Sequence, residues 1–510
     1  MYLHKGDYMA KYKSYNYDQT IMIPVSFTEQ LMPGTLEFAI HYLVENRIDM
    51  SVFEDRYKND ETGCPAYDPK ILLKIILLGY SRGFIGTRRI EKACRENIMF
   101  MALSCGKVPD YSTICNFVKT TKDEITSVFR DILLVCDKEG LLGGTRFALD
   151  GCKLPSNASQ RWTGTHNQLQ KKIQRMEKKV KRTLGKHIKQ DSQEDTLDLP
   201  ESARKKIERL DRHIKKIRTF LEFNKPKPGT KKQEIKSNIT DNDSAQMMTS
   251  HGSIQGYNAQ ALTDSKHQII VSCEAIGDGQ DHNNLTPVLD QAKKNLQAIG
   301  KPEDYFVGKE ILCDASYYSQ ENLGKSFQEK IDAYIPDANF RKRDPRLKEH
   351  KERLFSPADF VYDEQNDQYI CPNGATLTLK AKNQQKGKKL YRLYVADKKK
   401  CFGCTLRKRC LASEKTQKRY YYVYTDKEVA VFARQMYKKF DTEQGRTIYD
   451  QRTAIVEPVF ANIRTHKRLD RFTLRGKSKV NNQWKMYTII HNIEKILNYG
   501  SENAFSPIFS

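Results

Sequence analysis

No stretch of this 510-residue sequence is apolar enough to cross a bilayer. The most apolar run, ILLKIILLGY at residues 71–80, is far too short and carries Lys74. No secretory leader is expected, because MYLHKGDYMAKYKSYNYDQT is polar and has no apolar core segment. The twelve cysteines do not form a disulfide framework; they are scattered singly except near residues 371–410. A reducing cytoplasm is the expected compartment. Acidic residues are in deficit, with 63 Asp and Glu against 87 Lys and Arg, a net charge of +24. The basic excess recurs throughout the chain, which suits an extended footprint on a polyanion better than one basic tail. Counterion release from phosphates gives such contacts affinity without sequence preference, so nucleic acid is the simplest partner.

The length allows about two to four domains, each with its own core. Residues 1–23 read as a polar tail. Residues 24–140 read as an all-helical domain: YDPKILLKIILLGYSRG has Pro69 near a helix start and apolar residues at helical spacing. Further on, Ser112 is the expected N-cap of a short helix that exposes Thr113, Asn116 and Lys119. Helix, turn and short polar-faced helix together resemble a helix-turn-helix, so these three residues are candidates for DNA contact.

TRFALDGCKLPSNAS then switches to a strand, expected to end at Asp150, and residues 141–165 form the first part of a second domain. In 166–236, Leu169, Ile173, Met176, Val180 and Leu184 step by four and three, as do Ile207, Leu210, Ile214, Ile217 and Leu221. Joined by the acidic QDSQEDTLDLPES, they predict a charged antiparallel coiled-coil hairpin and linker inserted into that domain. Residues 237–340 resume it. GYNAQALTD and HQIIVSCEAIG predict a β-hairpin, DHNNLTPVLDQAKKNLQAI a helix with Asp281 as N-cap, and EILCDASYYS a buried strand ending in Asp314. A helix from about 319 and the strand DAYIPD follow. That order is the order of an RNase H-like α/β domain, a mixed sheet flanked by helices. Its first and fourth strands lie side by side, so Asp150 and Asp314 should meet at neighbouring strand ends.

Glu457, in AIVEPVFANIR, is a third acid, near a helix start or kink because Pro458 follows it. Three gathered carboxylates suit a pair of Mg²⁺ or Mn²⁺ ions for in-line phosphodiester chemistry. Arg464, Lys467 and Arg468 lie on the same helix, and Arg471, Arg475 and Lys477 follow as further phosphate contacts. Asp241 and Asp243 are expected only to support the site. Residues 341–425 form a basic, Cys-rich β insertion. Cys371, Cys401, Cys404 and Cys410 have turn-separated spacing that suits a closed, structural Zn²⁺ site. Cys64, Cys94, Cys105, Cys115, Cys136, Cys152, Cys273 and Cys313 read as small core residues. Within the C-terminal helices of 426–500, Trp484, Tyr487, Ile490 and Ile493 mark a buried face.

GYNAQ, ILCDASYYSQENL, IVEPVFANIRTHKRLDRFTLRG and HNIEKIL resemble DDE transposases of bacterial insertion sequences, a similarity covering roughly residues 25–498. The resemblance implies that Asp150, Asp314 and Glu457 are the DDE triad on an RNase H-like fold. It also implies binding of terminal inverted repeats, Mg²⁺-dependent DNA cleavage and strand transfer, a nucleoid location and at least a dimer on DNA. A non-catalytic DNA-binding regulator and a nuclease without strand transfer are the alternatives. In one related subgroup a Tyr and an Arg precede the Glu at fixed spacing. Here Tyr449 and Arg452 keep their mutual spacing, but Arg452 stands one residue too far from Glu457, and no role is read for either.

Overall fold

The segment GSIQGYNAQALTD is buried at every position from Gln255 to Asp264, as a strand covered on both faces must be. The structure, a computed structural model, describes residues 18, 24–56, 65–190, 200–229, 233–347, 355–386, 389–411, 413 and 415–505. The polar tail before residue 24 (Asp18 apart), Cys64 and most of the acidic hairpin loop lie outside them.

The main sheet contains β1 (Arg146–Pro155), β2 (Ala245–Thr249), β3 (Gly252–Asp264), β4 (Ile270–Ile276), β5 (Glu310–Cys313) and β6 (Asp332–Tyr334). Its order is β6-β5-β1-β3, with β2 and β4 sharing the outer side of β3. β1 is antiparallel to β3 and parallel to β5, and β6 is parallel to β5. The fold is therefore the expected RNase H-like α/β arrangement, with first and fourth strands adjacent. β2 is an added edge strand that the sequence pattern did not reveal.

Ahead of the sheet come α1 (Leu36–Asn46), α2 (Pro69–Ser81), α3 (Thr87–Glu96), α4 (Tyr111–Thr120) and α5 (Lys122–Lys138). Pro69 opens α2 as expected, with Asp68 capping it. The cap of α4 is Asp110 rather than Ser112: its carboxylate accepts the Ser112 N–H at 2.8 Å, so Ser112 lies inside the first turn. After β1, α6 (His166–Gln190) and α7 (Glu201–Phe223) pair through Leu169, Ile173, Ile214, Ile217 and Phe220. α8 (Leu285–Ala298) and α9 (Gln320–Gln328) follow β4 and β5.

A second, antiparallel sheet runs β7 (Val361–Asp363), β8 (Gln368–Ile370), β9 (Thr376–Lys386), β10 (Lys389–Ala396) and β11 (Tyr420–Tyr424) around Phe360, Tyr369, Leu377 and Tyr394. The chain closes with α10 (Lys427–Asp441), α11 (Glu443–Ala461) and α12 (Lys477–Tyr499).

α12 joins the two halves of the core. Trp484, Tyr487, Ile490 and Ile493 are buried, as expected. Its asparagines satisfy backbone that packing would otherwise orphan. Asn492 takes the Ile270 N–H and donates to the Ile270 carbonyl, both at 2.9 Å, while Asn482 donates to Val118 O of α4 at 2.7 Å. The start of α12 is tied down by Asp241, which accepts the Gly476 N–H at 3.1 Å, and by Asp243, which accepts the Lys477 N–H at 2.8 Å. These two acids serve a helix terminus, where the exposed N–H groups favour negative charge. They do not reach the Asp150 site by any hydrogen bond among the described residues.

Candidate active site

The parallel pairing of β1 with β5 ends at Leu149 opposite Cys313, so the next residues on the two strands are Asp150 and Asp314. β5 stops there, and Asp314 caps the short turn Ala315–Tyr317, its Oδ1 accepting the Ala315 N–H at 2.5 Å. β1 does not stop. Contrary to expectation it runs through Gly151 to Pro155, because β3 continues to pair with it as far as Gly256.

Asp150 is held from two sides. Its Oδ1 accepts the Gly151 N–H at 2.8 Å, and Arg452 Nη1 on α11 donates to its Oδ2 at 2.7 Å. Burial raises the Asp150 carboxyl above the usual carboxylate range; Arg452 and the Gly151 N–H oppose that rise, and the nearby Asp314 charge adds to it. One turn before Arg452, Tyr449 is pushed up to about 12, chiefly by burial, with Arg452 opposing and Asp314 contributing. Tyr449 and Arg452 thus do face the two aspartates, which the sequence reading left without a role.

Glu457 is not gathered with them. It lies well inside α11 rather than near its start, and it is exposed. At about 100° per residue, the five steps from Arg452 turn its side chain about 140° away from the direction of Arg452. A spacing of four would leave only about 40°. Pro458 stays within the helix but removes the hydrogen bond to the Ala454 carbonyl. That carbonyl is satisfied by Gln268 Nε2 at 3.0 Å, from the β3–β4 turn. Gln268 has a φ of 60°, and its side-chain oxygen accepts from Lys495 at 2.8 Å. The helix then widens to a π-turn over Asn462–His466.

This supporting contact is testable. Gln268→Asn tolerates the left-handed backbone but is one methylene too short, so it should cost about 1 kcal/mol in urea unfolding. In a Pro458→Ala background, which restores the backbone bond, most of that cost should vanish. An equal cost in both backgrounds would rule the coupling out.

Asp281 is no N-cap of α8. It sits in a preceding 3₁₀ turn, and its Oδ1 accepts from Asn258 Nδ2 at 2.6 Å and Gln260 Nε2 at 3.0 Å. The amides reach it because Gly151 leaves room: a Cβ there would lie 2.0 Å from Gln260 Nε2. Polar Asn258 and Gln260 in an otherwise buried strand were the available signal, since buried amides require partners.

Among the described residues, no three His, Cys, Asp or Glu side chains are arranged to hold a metal ion. The zinc expectation for the cysteines gains no support from this arrangement. Cys371, Cys401, Cys404 and Cys410 are half-buried free thiols. They are neighbours: burial raises the Cys410 thiol most, Arg419 opposes, and Cys401, Cys371 and Cys404 raise it further. Yet Cys371, Cys401 and Cys410 pack against the tyrosine-rich core of the second sheet, as small apolar groups do. Of the cysteines read as core, Cys94, Cys136, Cys152, Cys273 and Cys313 are buried, but Cys105 is exposed and Cys115 half-exposed.

The basic candidates divide. Asn116 and Lys119 are exposed on α4, and Thr113 is half-buried. Arg464, Arg468, Arg471, Arg475 and Lys477 are exposed. Arg464 lies beside Cys152 and lowers its thiol against the dominant effect of burial. Arg475 Nε donates to Asn157 O at 2.9 Å, and Lys477 Nζ lies 3.1 Å from Glu274. Lys467 is the exception. Its side chain is 1% exposed and pairs with Glu494 at 2.6 Å, so it is a packed ion pair rather than a surface contact.

Two segments match known families: residues 26–120 match a transposase domain (DUF772), and residues 370–497 match a transposase DDE domain. Glu457 lies in the second segment; Asp150 and Asp314 lie in neither. No curated protein and no solved structure matches the chain. Among the described residues no helix is long and apolar enough to cross a membrane. With a match to a transposase domain near its start and to a transposase DDE domain near its end, the chain is similar in both segments to transposases, as an insertion-sequence DDE transposase would be.

Proposed function

We propose that this protein cuts DNA at the ends of its own element and joins the released 3′ ends to target DNA, with Asp150, Asp314 and Glu457 as its catalytic acids. The observation that carries the reading is the pairing of Leu149 with Cys313, which sets two aspartates side by side in a chain with two transposase domains.

The donor set fits a hard divalent cation such as Mg²⁺ or Mn²⁺. Asp150 and Asp314 are adjacent oxyanions, and burial and mutual repulsion burden Asp150 with a charge that a cation would relieve. Those two would hold it; Glu457, exposed on α11 and turned away from the pair, would have to swing toward them on DNA to complete a second position. When bound, such ions supply Lewis-acid assistance to in-line displacement at phosphorus. The protein's own groups do the rest. Arg452 fixes the Asp150 carboxylate, Gln268 steadies α11 where Pro458 has broken its bond, and exposed Arg464, Arg468, Arg471 and Arg475 face the phosphates of the scissile strand. Water and then the 3′-OH are the nucleophiles, so no covalent protein–DNA intermediate forms. Joining two ends requires at least two copies on DNA.

A plasmid carrying the ends of the element tests this. With Mg²⁺ the protein should release 3′-OH termini at the element boundaries, and Asp314→Asn should release none. Cuts scattered elsewhere, or cuts that persist in Asp314→Asn, would defeat the reading.

A further inference from the structure

The base of the helical hairpin carries several cations that no carboxylate neutralises among the described residues. Arg209, Arg212 and Lys216 step by three and four along α7 and so share one exposed face. Beside them His213 packs edge-on against Trp162 at 4.7 Å. Its pKa is lowered first by burial, then by Arg161, Arg209, Arg212 and Lys216, so four cations crowd one imidazole. Lys172 Nζ lies 4.7 Å over the Trp162 ring and donates to the Arg161 carbonyl.

Among the described residues, no carboxylate pairs with Arg161, Lys172, Arg209, Arg212 or Lys216. Two other cations of the hairpin are paired, Arg218 with Glu177 and Lys205 with Glu201, each at 2.5 Å. An unpaired cluster of one sign repels itself and is relieved by a polyanion.

The cluster is also continuous with the acids. β1 leads from Asp150 to Ser156 and Asn157, whose carbonyls accept from Arg471 at 3.5 Å and Arg475 at 2.9 Å. Arg161 and Trp162 follow at once, then α6 with Lys172. Trp162 is covered by Lys172, while Phe223, 77% exposed, is an open ring beside Arg212 and Lys216. Several cations around a single open ring suit the phosphates of a duplex better than a run of unpaired bases, which stack on successive rings.

We infer that Arg161, Lys172, Arg209, Arg212 and Lys216 grip the backbone of double-stranded DNA flanking the cleavage site. This rests on the reading of the protein as a DNA-cutting enzyme, but binding is measured separately from cutting. The full chain in EDTA is titrated with a random-sequence duplex of about 40 base pairs across a range of salt, followed by fluorescence anisotropy. Neutralising three cations (R209Q, R212Q and K216Q together) should reduce the slope of log K against log salt by about 2.7, at about 0.9 per phosphate contact. Affinity near 0.15 M salt should fall at least about tenfold. R218Q, which removes a cation already paired with Glu177, should leave the slope unchanged, and both proteins should keep the parental thermal midpoint. An unaltered slope in the triple variant overturns the clamp, even if plasmid cutting proceeds as proposed. A greater loss on a single strand of the same length overturns the assignment to duplex DNA. Failure of the plasmid assay with the slope change intact would instead defeat the cutting reading alone.

Discussion

Asp150→Asn should lower single-turnover DNA cleavage by on the order of 10³-fold or more, while binding of uncut DNA changes less than about twofold. The amide keeps the size of the side chain and can still accept the Gly151 N–H. What it loses is the negative charge shared with Asp314 and needed to hold a divalent cation. Stability should move little, because two effects oppose each other. Removing a charge that burial penalises favours the folded state, whereas Arg452 is left without its 2.7 Å partner. Asp150→Asn should therefore melt within a few degrees of the parent, so its loss of activity cannot be assigned to unfolding. Appreciable cleavage by a folded Asp150→Asn protein would remove Asp150 from the catalytic set.

The second large effect is on acid stability, and it centres on His491. This residue of α12 is fully buried; its Nε2 donates to Gln268 O at 2.9 Å and its Nδ1 accepts from Asn462 Nδ2 at 3.1 Å. Both contacts use the neutral ring, and burial lowers its pKa to about 3 from an ordinary 6.5. Between those values the unfolded chain binds a proton that the folded chain refuses, so stability rises with pH across the window and is lost on acidification. From pH 7 to pH 4 the loss from this one group is about 3 kcal/mol. His491→Gln should be less stable at pH 7, but its urea midpoint should depend less on pH between 7 and 4, by about that amount. A variant that keeps the full parental pH dependence would show that other groups govern the acid transition. The Gln268 turn and the π-turn after α11 are both tied to this imidazole, so acid should loosen the helix carrying Glu457 along with the core.

How much of this was legible in the sequence follows the range of the interactions. FALD and ILCD read as buried strands because a strand covered on both faces needs an apolar run, and the parallel register then follows from element order. The buried face of α12 was equally local. Residues whose partners lie far away were misread. Lys467 looked like a surface cation because its partner Glu494 belongs to the next helix. Asp281 looked like a cap because the amides that capture it come from β3. Ser112 is a good capping residue and reads as the cap, but Asp110, two positions earlier, holds its N–H and caps the helix instead. The zinc expectation for the four insertion cysteines gains no support, and spacing does not report the tyrosine core against which three of them pack. Glu457 was expected near a helix start or kink because Pro458 normally opens or breaks a helix; the irregularity comes as the π-turn just after it. Gln268 supplies the missing hydrogen bond from 186 positions earlier, and the helix continues.

The central claim is that these acids join DNA as well as cut it. Its most direct test incubates the protein and Mg²⁺ with a labelled duplex ending in the element's own 3′-OH terminus and a supercoiled target plasmid. Parental protein should leave label covalently attached to plasmid DNA, and Asp150→Asn or Asp314→Asn should leave none. Nicked plasmid without attached label, or attachment that survives either substitution, would contradict it.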